Sequence, residues 1–267
     1  MIRYNCVLCH QLIILLLKEI VISIQAYIKA HEFIRENKLW RWIIIPGICY
    51  AILFGMSMYF FGKSANAVIN YLTIETGLQS WLTKLESSLL GFLFTVGGII
   101  LWLILMLLYF SLFKYIWLIV GAPVFSYLSE KTSAIIEGKE SSFELKQYIS
   151  DVIRGIKMAA RNTIWQTVYI FSIFFISLLP IIGWASPILA ALIECYYYGF
   201  SMLDYSCERN KMNSAESIEF IGQHKGLAIG NGIVFYLMHF VLVIGWVLAP
   251  AYAVIAGTIS MHQIKQK

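Results

Sequence analysis

Lys38 and Arg41 stand at the mouth of an uncharged run that begins at Trp42 and continues to Gly62. With that run read as a helix, Asn37 is its N-cap, and the N–H groups of Lys38, Leu39 and Trp40 lack intrahelical partners beside the Arg41 guanidinium. Unpaired amides, the positive end of a helix dipole and a guanidinium together make a receptor for an oxyanion. The same two cations also fit a second role, snorkelling from the start of a span to lipid headgroups. Ser186 followed by Pro187 has the form of a cap and a first helical residue, and Pro250 can open another helix, so further amide ends are expected there.

A second set of charges borders a long apolar arm. Arg154 and Arg161 precede it, Glu194 and Asp204 follow it, and Glu130 comes from the hydrophilic stretch upstream. Acidic groups at the end of an apolar arm need partners, so pairing across a hairpin is expected, either as an ion-pair network that fixes the fold or as part of an ion path. His239 sits inside another apolar run, where a neighbouring helix satisfies it or where it relays protons or meets substrate.

Other chemistries find no support. The sequence has no G-x-S-x-G, Walker loop, H-E-x-x-H or G-x-G-x-x-G, so neither a hydrolase nor an ATP-driven pump is expected, and the protein is read as a non-enzyme without cofactor. Its five histidines lack metal-ligand spacing. Cys6, Cys9 and His10 spell C-x-x-C-H, a haem-attachment pattern that would need an exported N-terminus, and the five cysteines form no even disulfide framework.

Composition sets the surroundings. Of 267 residues, 60% are hydrophobic and 13% charged. That share of charge is about half of what a soluble domain carries, and the mean hydropathy is +0.74. The 20 Lys and Arg against 15 Asp and Glu are scattered between long uncharged runs, which is an orientation signal rather than a nucleic-acid footprint. Trp42 to Gly62 gives 21 uncharged residues and Leu89 to Phe113 gives 25, each enough to cross about 30 Å of hydrocarbon. Six Lys or Arg in residues 1–41 and seven in 114–161, against two in 63–88, place the first two segments in the cytoplasm and the third outside. Ile20, Ile24, Tyr27 and Ile28 share a face, as in an interfacial helix or a cytosolic helix packed on the rest. Residues 129–161 read as a cytoplasmic helical connection.

The last two apolar runs are too long for one crossing each. Asn162 to Ile193 has 32 uncharged residues and Gly226 to Met261 has 36, and both are broken by similar strings, Ile182 to Pro187 with Gly183 and Ile244 to Pro250 with Gly245. Bare apolar tips favour two re-entrant hairpins that enter from the cytoplasm, with six full spans as the alternative. The expected architecture is an all-α integral membrane protein forming a single membrane domain over residues 1–267: an N-terminal helix to 41, two spanning helices in 42–128, the connection in 129–161 and two hairpins in 162–267.

Several segments in this order resemble the CysZ-type sulfate permease family of the etoposide-induced membrane-protein superfamily. They are Leu39 to Pro46 (LWRWIIIP), Ala122 to Lys131 (APVFSYLSEK), the tip beginning at Pro180, Leu203 to Tyr205, and Pro250 to Gly257. The resemblance implies two long transmembrane helices, two half-penetrating hairpins, a homo-oligomer in the bacterial inner membrane, and passive sulfate passage that feeds cysteine synthesis. It also implies a sulfate site at the start of the first spanning helix, made of backbone N–H groups and an Arg-Arg pair. Here Arg41 retains the second arginine, Trp40 stands at the first, and Lys38 stands at a glycine position. The wider superfamily also admits non-transporting membrane scaffolds.

Overall fold

The computed structural model describes residues 2–71, 120–139, 145–177, 185–241 and 244–265. All regular structure among them is helical. We number the helices α1 (Ile2–Glu36), α2 (Trp40–Asn70), α3 (120–137), α4 (Leu145–Ser177), α5 (Ser186–Arg209), α6 (Ser214–Gln223), α7 (Lys225–His239) and α8 (Ile244–Lys265). The expected span Leu89 to Phe113, the tip residue Gly183 and the side chains of Cys6 and Cys9 lie outside the described residues. The chain divides into two compact units, Met1–Cys49 with Leu118–Lys267, and Tyr50–Trp117.

In the first unit α7 is the central element, packed against α1, α5 and α8. Its sequence, KGLAIGNGIVFYLMH, places small residues where neighbouring backbones arrive. A Cβ on Gly226 would strike the Leu16 carbonyl and Glu19 of α1, and one on Gly230 would strike Ser23 and Ile20. On the α5 side, Gly232 meets the Cys195 backbone and Gly199 meets the Ala228 backbone. Asn231 ties a third direction, accepting the Tyr27 hydroxyl on its carbonyl at 2.8 Å and donating its side-chain amide to the Ala253 carbonyl at 2.8 Å. Close approach at glycine is the usual basis of helix association where lipid surrounds the bundle.

α1 uses a different face from the one its aliphatics suggest. The buried positions are Glu19, Ser23, Ala26, Tyr27, Ala30 and Ile34, whereas Ile24 and Ile28 point outward. Small and polar residues make the contacts with α7 and α8, and the large aliphatics are left for the surroundings, an inversion expected where those surroundings are lipid. Leu12, Ile13, Ile14 and Leu15 are exposed in succession, so this part of α1 is apolar on every side. Among the described residues three stretches are long and apolar enough to cross a membrane: His10–Glu36, Trp40–Val68 and Val247–Lys265. The chain is an all-α membrane protein.

Both C-terminal runs fold back as helical hairpins. In the first, α4 and α5 run antiparallel, joined across the pair by Arg154 to Asp204, Asn162 to Ser201 and Gln166 to Glu194. α4 is continuous from the hydrophilic connection into the apolar arm. Ser186 does not cap α5: the N-cap is Ala185, no side chain caps it, and Pro187 sits in the first turn. The second hairpin turns earlier than its proline suggests. α8 has already begun at Ile244, so Gly245 is a tip residue but Pro250 lies inside the helix. Gly245 allows the turn because its Cα packs on the Met238 carbonyl, leaving no room for a side chain. Pro250 removes one backbone donor, a loss that membrane helices tolerate when packed on neighbours. At 15 residues α7 is about 22 Å long, shorter than a bilayer core.

The second unit is described through residues 50–71, the continuation of α2. Tyr50, Phe54, Phe61 and Ala65 form its buried stripe. Ile52, Tyr59 and Phe60 are exposed.

The α5–α7 contact yields a direct test. Gly232→Ala is expected to cost about 3 kcal/mol through overlap with the Cys195 backbone, while Gly222→Ala, which meets open space, changes stability by less than about 1 kcal/mol. Thermal melting of the two variants in the same detergent checks the contrast.

Candidate functional site

The start of α2 is set by how α1 ends. The Leu39 N–H reaches back to the Ile34 carbonyl at 3.1 Å and Lys38 adopts φ 54°, the left-handed reversal that closes a helix in a Schellman motif. Buried Ile34 and Leu39 complete it as the accompanying apolar pair. Asn37 belongs to the same ending: its side-chain amide donates to the Phe33 carbonyl at 2.9 Å, so it closes α1 and does not cap α2. The Leu39 amide is also spent on α1 and is not available to an anion. What the corner offers is the first turn of α2 from Trp40, with the exposed side chains of Lys38 and Arg41 on either side.

Trp40 is partly buried, with its ring edge-on to His31 at 6.2 Å between centroids. His31 stacks on Tyr252, and its Nδ1 lies 2.7 Å from the Tyr252 hydroxyl. One residue of α1, itself held by α8, therefore braces the opening of α2. On the far side Trp42 packs on Tyr127 with centroids 4.6 Å apart. Gly47 sits on Val247, bringing α2 and α8 into backbone contact.

The charged residues singled out from the sequence find varied partners. Arg154 Nη2 donates to Asp204 at 2.9 Å and to the Ser217 hydroxyl at 2.5 Å, which ties α4, α5 and α6. Glu194 is bonded to neither Arg154 nor Arg161; among the described residues it accepts from Gln166 and, at 2.8 Å, from the Tyr236 hydroxyl. Arg161 donates to Asn162 at 3.1 Å and lies over the Phe200 ring. Glu130 pairs with Arg209 at 3.3 Å, and Arg209 also donates to Ser126. His239 bonds the Phe235 carbonyl at 3.2 Å in the last turn of α7 and packs at a tilt on the Phe235 ring. It is thus a helix-end residue, near the Gly245 turn and far along the chain from the corner.

Three features escape sequence reading. Glu19 is buried in α1, where it accepts the Gly226 N–H at 3.1 Å and pairs with His224 at 2.6 Å, so a carboxylate closes the N-terminus of α7 from another helix. Its place, with Lys18, inside an otherwise apolar stretch was the available signal. Ser129, Ser206 and Thr258 meet in the core, with Thr258 2.8 Å from Ser206 and 3.2 Å from Ser129, joining α3, α5 and α8 through hydroxyls that look unremarkable in sequence. Beyond α3, Lys139 donates to Glu137 at 2.8 Å, and that hydrogen bond holds the Glu137 carboxyl below the usual carboxylate range.

Residues 26–250 match the family described as "Sulfate transporter CysZ/Etoposide-induced protein 2.4". The chain belongs to this family. It is 25% identical over 237 residues to the sulfate transporter CysZ of Pseudomonas syringae pv. tomato, covering 85% of this chain and 89% of the relative. It is 23% identical over 218 residues to the protein of that name in Pseudomonas paraeruginosa, and 21% over 211 residues to one in Pseudomonas fluorescens. The family segment takes in the α1–α2 corner and both arms of the Arg154–Asp204 pair, and it leaves Glu19 and Tyr252 outside.

Two expectations follow from the geometry. Lys38→Gly relieves a left-handed non-glycine backbone and raises stability by about 0.5–1 kcal/mol, read as a higher melting temperature. Arg154→Leu leaves Asp204 buried without its cation and costs about 3 kcal/mol, whereas the double variant Arg154→Leu with Asp204→Leu recovers most of that loss in the same assay.

Proposed function

We propose that this chain passes sulfate, or a related oxyanion, across the bacterial inner membrane without consuming ATP, supplying sulfur for cysteine synthesis. The observation that carries this reading is the α1–α2 corner, where the open first turn of α2 is flanked by exposed Lys38 and Arg41 in a chain of the CysZ family. The relatives named as sulfate transporters support the choice of anion. Arg41 supplies a planar pair of donors, Lys38 a flexible charge held forward by its left-handed backbone, and the amides of Trp40 and Arg41 the end of the helix dipole.

In this reading Glu194, Asp204, Arg154, Arg161 and Glu130 hold the hairpins together, because each meets a side chain of a neighbouring helix. The short α7 and the Gly245 turn fit a hairpin that enters the lipid and returns on the side it came from. The N-terminus is placed in the cytoplasm by the basic residues around the corner, with lipid on the outward aliphatic faces and further copies of the chain completing the conduction path.

The test is flux of radiolabelled sulfate into proteoliposomes. Native protein is expected to move sulfate without nucleotide, and Arg41→Ala to lower the rate at subsaturating sulfate at least about tenfold, the size of one lost charge-assisted partner. Absence of flux from folded native protein would remove the transport reading and leave a membrane scaffold.

A further inference from the structure

At the end of the bundle where α1, α3 and α8 converge there is a cavity of about 380 Å³, within the size range of small-molecule sites. Nothing in the transport reading uses it. One wall belongs to α1, which contributes Glu32 and Glu36 one helical turn apart, together with Lys29. The opposite wall comes from α8 through His262 and Gln263. Between them lies an apolar floor of Phe33, Ile136 and Ile259.

The lining carries both signs of charge. Glu32 and Glu36 repel each other at i,i+4 spacing, and among the described residues neither has a cation within ion-pair distance. A ligand ammonium set between them would turn that repulsion into two charge-assisted hydrogen bonds. Lys29, His262 and the Gln263 amide supply donors for a carboxylate on the same ligand. His262 Nε2 lies 3.4 Å from the Ser133 hydroxyl and 3.8 Å from Glu137, so these contacts use one nitrogen of the ring on this wall.

We propose that this cavity is a binding site for a free α-amino acid with a short aliphatic side chain. A lone amine would leave the donors of Lys29 and Gln263 unanswered, a lone carboxylate would face Glu32 and Glu36, and a zwitterion answers both. The floor of Phe33, Ile136 and Ile259 accepts a few apolar carbons. Glu36 is the last residue of α1, and the Lys38 reversal follows it immediately, so an occupant here touches the helix end that sets the α2 corner.

The experiment is calorimetric titration of the full chain in lipid nanodiscs with L-valine and L-alanine, alongside isobutylamine and isovalerate, each of which carries one of the two charges. L-valine is expected to bind in the millimolar range or tighter, with both single-charge compounds at least about tenfold weaker. Glu36→Gln and Lys29→Gln, at exposed positions that leave folding intact, are each expected to weaken L-valine about tenfold. Absence of binding by both amino acids up to about 10 mM overturns the proposal, as does isobutylamine binding as tightly as L-valine. Sulfate is titrated into the same samples: retention of sulfate binding in Glu36→Gln separates failure of this site from failure of the transport reading.

Discussion

A Cβ at Gly199 would overlap the Ala228 carbonyl, and one at Gly232 would overlap the Cys195 backbone, so α5 and α7 touch main chain to main chain. Lipid is as apolar as a leucine side chain, and burying aliphatics between helices gains little against leaving them outside. The bundle is held instead by what lipid cannot provide: dispersion at very short range and hydrogen bonds between polar groups. That accounts for the contacts made at Gly226, Gly230, Asn231, Ser129, Ser206 and Thr258, which work beside an apolar cluster of Phe200, Leu203, Ile221 and Leu227 while Ile24, Ile28, Ile164 and Phe171 are turned outward.

α1 inherits its position from this arrangement. Glu19 closes α7, Ser23 faces Gly230, and Tyr27 bonds Asn231, each about one turn after the last. His31 then meets Tyr252 of α8, and Ile34 receives the Leu39 amide. Each contact lies on the same stripe, so docking of α1 on α7 fixes where α1 stops and hence where α2 begins. The candidate anion corner is the last step of a register that starts with a buried carboxylate some five turns away.

Much of this architecture was legible because it follows from length and charge alone. Uncharged runs too long for one crossing had to fold back, and Trp42 to Gly62 had to be helical. The details that failed depend on which of two competing partners a polar group finds. Asn37 was a plausible cap for α2, yet its amide closes α1, because Lys38 reverses the chain there. Pro250 looked like a turn residue, but the turn needs close backbone contact at Gly245 more than it needs a missing donor. Glu194 was matched to arginines by sign, and Gln166 with Tyr236 satisfied it without a net charge. Sequence gives the demand for a partner and not its identity.

The division of labour between corner and hairpin follows from space and charge. Beside Arg154 the enclosed cavity lined by Gly155, Met158, Ser201, Asp204 and Tyr205 is about 10 Å³, room for one water and far too small for a tetrahedral oxyanion. Asp204 also presents a carboxylate there, which repels a dianion as strongly as it anchors Arg154. The buried arginine therefore costs least when it serves the fold, with the aspartate and Ser217 as its partners. At the corner the balance is opposite: Lys38 and Arg41 are exposed, among the described residues no acid is hydrogen-bonded to either, and under the proposed reading an arriving sulfate exchanges part of its own shell for amides and a guanidinium already in place. Under the proposed transport reading, selection of the anion falls to the exposed helix start, and the hairpins keep that start in position.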